Sequence, residues 1–124
     1  MINYKLLSGN TLAYIGDAIW SVVIRKYLIE KGITKADQLQ KLSIKYVSAK
    51  SQASIYYKLQ ELNILDEKEI EIFKRGRNSK SNTIPKNSDP ITYSISTGFE
   101  ALIGYLYLDN KQERIMELFN SIKE

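Results

Sequence analysis

The sequence predicts an all-α domain of about six helices. Apolar residues recur every three or four positions along most of the chain, which is the period of a helix with one buried face. Strict alternation of apolar and polar residues is confined to short runs, so strands are not expected. With 124 residues, 44% of them hydrophobic, the chain can bury a single core, and we expect one domain over residues 1–124.

Local signals place the first three helices. The first is predicted over about residues 11–31, because its apolar positions share a face and Gly32 supplies a C-terminal stop. Thr34 or Asp37 is the expected N-cap of the second helix. The third, over residues 47–61, is expected to follow after no more than a bend.

The second half of the chain contains a predicted loop between helices. The fourth helix is expected to begin at the acidic run 66–69 and to end in bases, an order that complements the helix dipole. Residues 78–90 contain two prolines and many small polar residues, which predicts a functional or disordered loop. The last two helices are predicted over residues 92–108 and 111–122.

The composition excludes several kinds of active site, because the chain has no histidine and no cysteine. Ser-His-Asp triads, RNA cleavage by paired histidines and most zinc sites all need one of these residues. Carboxylates and water remain, and they suit a hard cation such as Mg²⁺.

The chain lacks the roughly 18 to 20 consecutive apolar residues of a membrane helix, and its start lacks the order of a secretory signal. We therefore expect a cytoplasmic protein.

Positive charge is concentrated in one segment. The net charge is +4, and residues 74–86 contain five bases and no acid. Such a segment favours a polyanionic partner, most simply nucleic acid. The alternative is an ordinary solvated surface whose bases complement the end of a helix.

Two carboxylates stand inside predicted helices beside small residues: Asp17 follows Gly16, and Glu100 lies between Gly98 and Gly104. An ionised carboxylate among apolar neighbours needs a cation, a hydrogen-bond network or a raised pKa. Glycine inside a helix costs about 1 kcal/mol relative to alanine, so we interpret these glycines as points where two helices approach closely. If the helices cross there, Asp17 and Glu100 can share a metal ion. The alternative is that Asp17 caps a helix that begins after Gly16.

These segments resemble the catalytic domain of ribonuclease III. Residues 13–19, Ala-Tyr-Ile-Gly-Asp-Ala-Ile, resemble the signature helix of that family, and residues 99–104, Phe-Glu-Ala-Leu-Ile-Gly, resemble its second acidic helix. Together with residues 75–80 and 85–87, nearly the whole chain is similar in order and spacing to Mini-ribonuclease III. This compact bacterial branch lacks a double-stranded RNA-binding domain, and we expect none here.

The resemblance implies a homodimeric endoribonuclease of ribonuclease III fold that cleaves double-stranded RNA with Mg²⁺. For this branch it also implies maturation of the ends of 23S ribosomal RNA from its precursor. It assigns Asp17 and Glu100 as metal ligands and catalytic residues. Two acids of the wider family pattern are replaced, by Ala13 and Thr97. We therefore expect a modest affinity for Mg²⁺, with Asn10 and Thr97 contacting the ion through water.

In the absence of an RNA-binding domain, the catalytic domain is expected to hold the duplex itself. The candidate RNA-binding residues belong to the basic segment: Lys74, Arg75, Arg77, Asn78, Lys80 and Lys86. Contacts to phosphates and 2′-hydroxyls would make recognition depend chiefly on duplex shape. For the dimer contact, Trp20 and its apolar neighbours are one candidate, and a role in the core is the alternative.

Two other functions are compatible with the sequence. The missing acids at Ala13 and Thr97 are compatible with a non-catalytic RNA-binding or ribosome-associated helical module. This alternative predicts RNA binding without magnesium-dependent cleavage products. A helical scaffold that contacts only protein would leave the basic segment and both in-helix carboxylates unexplained.

Overall fold

A computed structural model describes residues 2–79 and 89–123. These residues form a short 3-10 turn and six α-helices and contain no strand, which confirms the predicted all-α class. The elements are the turn Tyr4–Leu6, α1 (Gly9–Glu30), α2 (Ala36–Val47), α3 (Ala49–Glu61), α4 (Glu67–Arg77), α5 (Pro90–Leu108) and α6 (Gln112–Ile122). In this part of the chain, none of the helices combines the length and apolar character needed to cross a lipid bilayer.

Most helix boundaries follow the predicted signals. Gly32, with φ of 93°, follows the end of α1 in the left-handed region that glycine adopts readily. Ser48 alone separates α2 from α3, and its side chain caps α3. At the start of α4, Asp66 and Glu69 form a reciprocal capping box.

The predicted cap of the second helix was wrong. Lys35 occupies the N-cap position of α2, and its side chain makes no capping hydrogen bond. Thr34 lies one residue too early, and Asp37 lies within the first turn, where its charge still complements the helix dipole. The packing of α2 against α1 and α3 therefore sets this boundary rather than a side-chain cap.

The central element is α5, which packs against α1, α3, α4 and α6. Phe99 from α5 meets Trp20 from α1 edge to face, with ring centroids 4.9 Å apart, and Phe119 from α6 meets the same indole at 5.8 Å. The Trp20 indole N–H donates to the carbonyl oxygen of Tyr46, and the residue is 1% exposed. Trp20 is therefore a core residue of this chain and not an exposed dimer contact.

Two close crossings fix α5 against its neighbours. A Cβ added to Gly16 would lie 1.7 Å from the carbonyl oxygen of Glu100, and one added to Gly104 would lie 1.9 Å from the carbonyl oxygen of Leu12. At the second crossing, a Cβ on Gly76 of α4 would lie 2.8 Å from Cα of Gly98. The predicted close approach at Gly16 and Gly104 is thus confirmed, because neither position has room for a larger residue.

Candidate active site

An open cleft of about 460 Å³ lies beside the α1–α5 crossing. The helices contribute matching sets of side chains at helical spacing, so each set occupies one face. From α1 these are Asn10, Ala13, Tyr14 and Asp17, and from α5 they are Tyr93, Thr97 and Glu100. The crossing therefore brings together the two carboxylates that are 83 positions apart in the sequence.

Asp17 lies in the interior of α1, which begins at Gly9. The alternative prediction, that Asp17 caps a helix starting after Gly16, was wrong because Ser8 caps this helix. The two carboxylates, which the sequence did not distinguish, differ in exposure. Asp17 is exposed, while Glu100 is the partly buried carboxyl of the pair.

The environment of Glu100 favours its protonated form. Burial is the main cause, followed by a hydrogen bond with Asp17 and the charge of that carboxylate, and together they raise the pKa of Glu100 to about 8. The protonated Glu100 carboxyl can donate to the Asp17 carboxylate. Near neutral pH the two carboxyls therefore share one proton and carry one negative charge. Two separate carboxylates would carry two.

A third residue of this site was missed from the sequence. Gln52 of α3 is buried, and its amide lies beside Glu100, where it opposes part of the rise in the pKa of that carboxyl. The sequence does contain a signal for Gln52. It is a polar residue on the predicted inner face of the third helix, next to Ala53 and one turn before Tyr56. A buried amide commonly satisfies a second polar group.

These residues fit a divalent cation held by two carboxylates and water. Placing a cation between Asp17 and Glu100 would replace their repulsion by attraction. Within the described residues, histidine, cysteine, aspartate and glutamate side chains nowhere form a group of three or more, so the protein would supply only two such ligands here. Oxygen ligands and retained waters are what Mg²⁺ prefers.

The two positions that depart from the family pattern face the same cleft. Ala13 and Thr97 both line it, as does Asn10. The Thr97 hydroxyl donates to the carbonyl oxygen of Tyr93, so its oxygen remains available only as an acceptor. Such an acceptor suits a water molecule in the cleft, in line with the expected contact through water.

The basic segment begins at the end of α4, next to the cleft. Gly76 packs against Gly98, and a Cβ placed on Gly76 would lie 2.9 Å from the carbonyl oxygen of Thr97. Three of the candidate RNA-binding residues, Lys74, Arg77 and Asn78, are exposed there. Lys80 and Lys86, and most of the predicted loop 78–90, lie outside the described residues.

Arg75 differs from its basic neighbours. Its guanidinium donates to the carbonyl oxygens of Lys5 and Leu7 and to the carboxylate of Glu71. These bonds attach the residues before α1 to the surface of α4. Arg75 therefore has a structural role whatever its part in RNA binding, and a test of RNA contact is cleaner at Lys74 and Arg77.

Comparisons with known proteins show which family this fold belongs to. Residues 10–111 match the Ribonuclease III domain family. A Mini-ribonuclease 3 from Enterococcus faecalis is 48% identical over 97% of this chain and 91% of its own length, and one from Streptococcus pneumoniae is 49% identical over 95% and 92%. A crystal structure of a protein from Fusobacterium nucleatum superposes with a TM-score of 0.82, at 41% identity over 91% of this chain and 90% of that one.

The raised pKa of Glu100 predicts a pH-dependent effect of replacing it. The folded chain keeps the proton of Glu100 up to a pH of about 8, whereas the unfolded chain, with a carboxyl pKa of 4.5, releases it at lower pH. The stabilising contribution of this group is therefore complete below the unfolded pKa of 4.5 and is lost as the pH rises through about 8.

Without divalent cations, we expect Glu100→Gln to gain stability relative to the wild type as the pH rises from about 5 to about 9. Urea unfolding in EDTA at several pH values measures the difference. Glu113→Gln, at an exposed position of α6, is the matched control. A Glu100→Gln difference that is constant across this range would contradict the shared proton.

Proposed function

Because the chain belongs to the ribonuclease III family and is an endoribonuclease, we propose that it cleaves double-stranded RNA with Mg²⁺ at the Asp17–Glu100 pair. One observation carries the proposal: the α1–α5 crossing brings these two carboxyls together in the lining of one open cleft, close enough for Asp17 to raise the pKa of Glu100. A non-catalytic RNA-binding module has no need of such a pair. Pairing the two carboxyls raises the pKa of Glu100 and does not stabilise the fold at neutral pH. The geometry therefore favours hydrolysis.

Each carboxyl has a distinct part in the proposed reaction. Asp17 is exposed and would be accessible to an incoming phosphate, while Glu100 is partly buried and would release its proton on binding a cation. Mg²⁺, when bound, supplies stabilisation of charge on the phosphate and activates a water for attack. The acceptor oxygens of Asn10 and Thr97 orient waters in the same cleft, which compensates for the acids that are absent at Ala13 and Thr97.

Removal of either carboxyl should separate cleavage from binding. Asp17→Asn keeps the size of the side chain and removes its charge, so we expect cleavage of a duplex RNA to fall by about 100-fold or more, the scale of losing a charge-stabilising group. Binding of the duplex, measured by filter retention with Ca²⁺ in place of Mg²⁺, should stay within about threefold of wild type because the basic segment is intact.

The wild type with and without Mg²⁺, and Glu113→Gln in parallel, complete this experiment. Products that form at the wild-type rate in Asp17→Asn, or in EDTA, would reject the site. The proposed substrate, the duplexed ends of 23S ribosomal RNA precursor, is tested beside an unrelated duplex of equal length. Cleavage of both at the same rate and without defined positions would reject that assignment.

The exposed bases at the end of α4 are proposed to hold the duplex. They adjoin the cleft through the Gly76–Gly98 contact, so a phosphate backbone that spans them also reaches Asp17. Their charge is sequence-independent, which is consistent with recognition of duplex shape through phosphates and 2′-hydroxyls. We propose that the duplex is also contacted by Arg75, Lys80 and Lys86.

Replacing Lys74 and Arg77 together with alanine should weaken duplex binding and reduce its dependence on salt. Removing one phosphate-binding side chain lowers the slope of log affinity against log salt by about 1. The measurement is duplex affinity at four or more salt concentrations. Lys35→Ala with Lys41→Ala, at exposed positions around the start of α2, removes the same net charge elsewhere. Equal slopes in the two double variants would reject the end of α4 as an RNA contact.

A homodimer is proposed to place one cleft on each strand of the duplex. Three apolar residues form a stripe on the outer face of α1: Tyr14, Val22 and Ile29, with 83%, 61% and 54% of their surface exposed. A stripe this apolar is a common mark of a protein contact surface. It runs beside Asp17 on the same helix, so pairing two stripes would bring two clefts close together. We also propose that this activity is cytoplasmic.

Val22→Lys should convert the dimer to a monomer and lower double-strand cleavage. A lysine ammonium buried between two apolar stripes, and facing its symmetry mate, is strongly unfavourable. Light scattering coupled to size exclusion measures the mass. Met116→Lys introduces the same charge at an exposed apolar residue of α6. A wild type that is monomeric at micromolar concentration, or a Val22→Lys variant that remains dimeric, would contradict this interface.

A further inference from the structure

Gln52 is the one buried side chain in the described residues whose polar atom lacks a hydrogen-bond partner. The residue is 1% exposed, and the unpaired atom is the donor Nε2. Leaving a buried donor unpaired costs about 1–3 kcal/mol. A leucine or methionine at this position would avoid the penalty, so the amide needs a reason other than folding.

The position of Gln52 supplies that reason. The helix α3 packs against α5, and the Gln52 amide lies close enough to the Glu100 carboxyl to lower its pKa, although Nε2 makes no hydrogen bond of ordinary geometry. Asp17 contacts the same carboxyl from α1. Glu100 therefore has an amide donor in the core on one side and the cleft with its second carboxyl on the other.

An amide matches this position better than a charged donor would. A lysine or arginine would neutralise Glu100 and weaken its attraction for a cation. A neutral N–H group can orient one carboxylate oxygen and leave the negative charge available to the ion. Groups that hold a metal-binding side chain in this way commonly change metal affinity by about 10–100-fold.

We propose that Gln52 is a positioning residue, whose Nε2 donates to one oxygen of ionised Glu100 and turns the other oxygen toward Asp17 and the divalent cation. The inference rests on the proposed function, since it presumes that this pair holds the cation. It assigns to α3, which contributes no residue lining the cleft, a part in preparing the cleft for the ion.

The first test measures Mg²⁺ affinity by calorimetry on the full chain without RNA. We expect Gln52→Met to bind Mg²⁺ about 10–100-fold more weakly than the wild type. Its stability in EDTA should be equal or higher, because the unpaired donor is gone. A residue with only a structural role would show the reverse, with lower stability and unchanged affinity. Gln60→Met makes the same change at an exposed position of α3 and should alter neither quantity.

The second test uses the wild-type chain and does not depend on how a variant folds. The side-chain amide signals of Gln52 in a ¹H–¹⁵N spectrum should shift as Mg²⁺ is added, along a curve that follows the calorimetric affinity. Those of Gln60 should stay in place. In Asp17→Asn the same addition should leave the Gln52 signals nearly unchanged, because the cation has lost one of its two carboxylates.

The outcomes separate this inference from the proposed function. If the wild type binds Mg²⁺ and Gln52→Met binds it equally well, or the Gln52 amide signals do not move at saturation, the positioning role is overturned and the nuclease proposal stands. If the wild type binds no Mg²⁺, both the proposed two-carboxylate metal site and the positioning role of Gln52 are rejected.

Discussion

The backbone contact between α1 and α5 at Gly16 and Gly104 is the constraint on which the rest of the structure depends. A methyl group at either position would overlap the carbonyl oxygen of the opposite helix. Dispersion and close packing hold the crossing, because the absence of two side chains lets the main chains meet directly. Asp17 and Glu100 are each within four residues of this point, so their distance is set by the backbone and not by flexible side chains.

The site imposes two unfavourable features on an otherwise well-packed domain. Burial and a neighbouring carboxylate keep Glu100 protonated near neutral pH, and Gln52 keeps an unpaired donor in the core. Natural proteins commonly break local folding rules where function requires it. Both features here adjoin a single carboxyl, and under the proposed function both would become favourable interactions once that carboxyl is ionised and faces a cation. The aromatic core around Trp20 supplies stability nearby.

A second close contact between glycines connects the proposed RNA-binding surface to the carboxyl pair. Gly76 brings the end of α4 against α5 at Gly98, only two positions before Glu100. The basic end of α4 and the carboxyl pair are therefore held on helices that pack directly against each other. Arg75 bonds the residues before α1, which leaves Lys74 and Arg77 as the exposed bases at this end of the helix.

The sequence by itself determined the helices, the crossing glycines and the pair of carboxylates. Helical periodicity, stop signals such as Gly32 and the small residues around Asp17 and Glu100 are local properties, and local physics is enough to interpret them. Only the tertiary structure decided which carboxyl is buried, that Trp20 belongs to the core, that Arg75 is engaged and that Gln52 lies beside Glu100. Those outcomes depend on which helix face meets which neighbour, a property of packing between distant segments that no window of sequence contains.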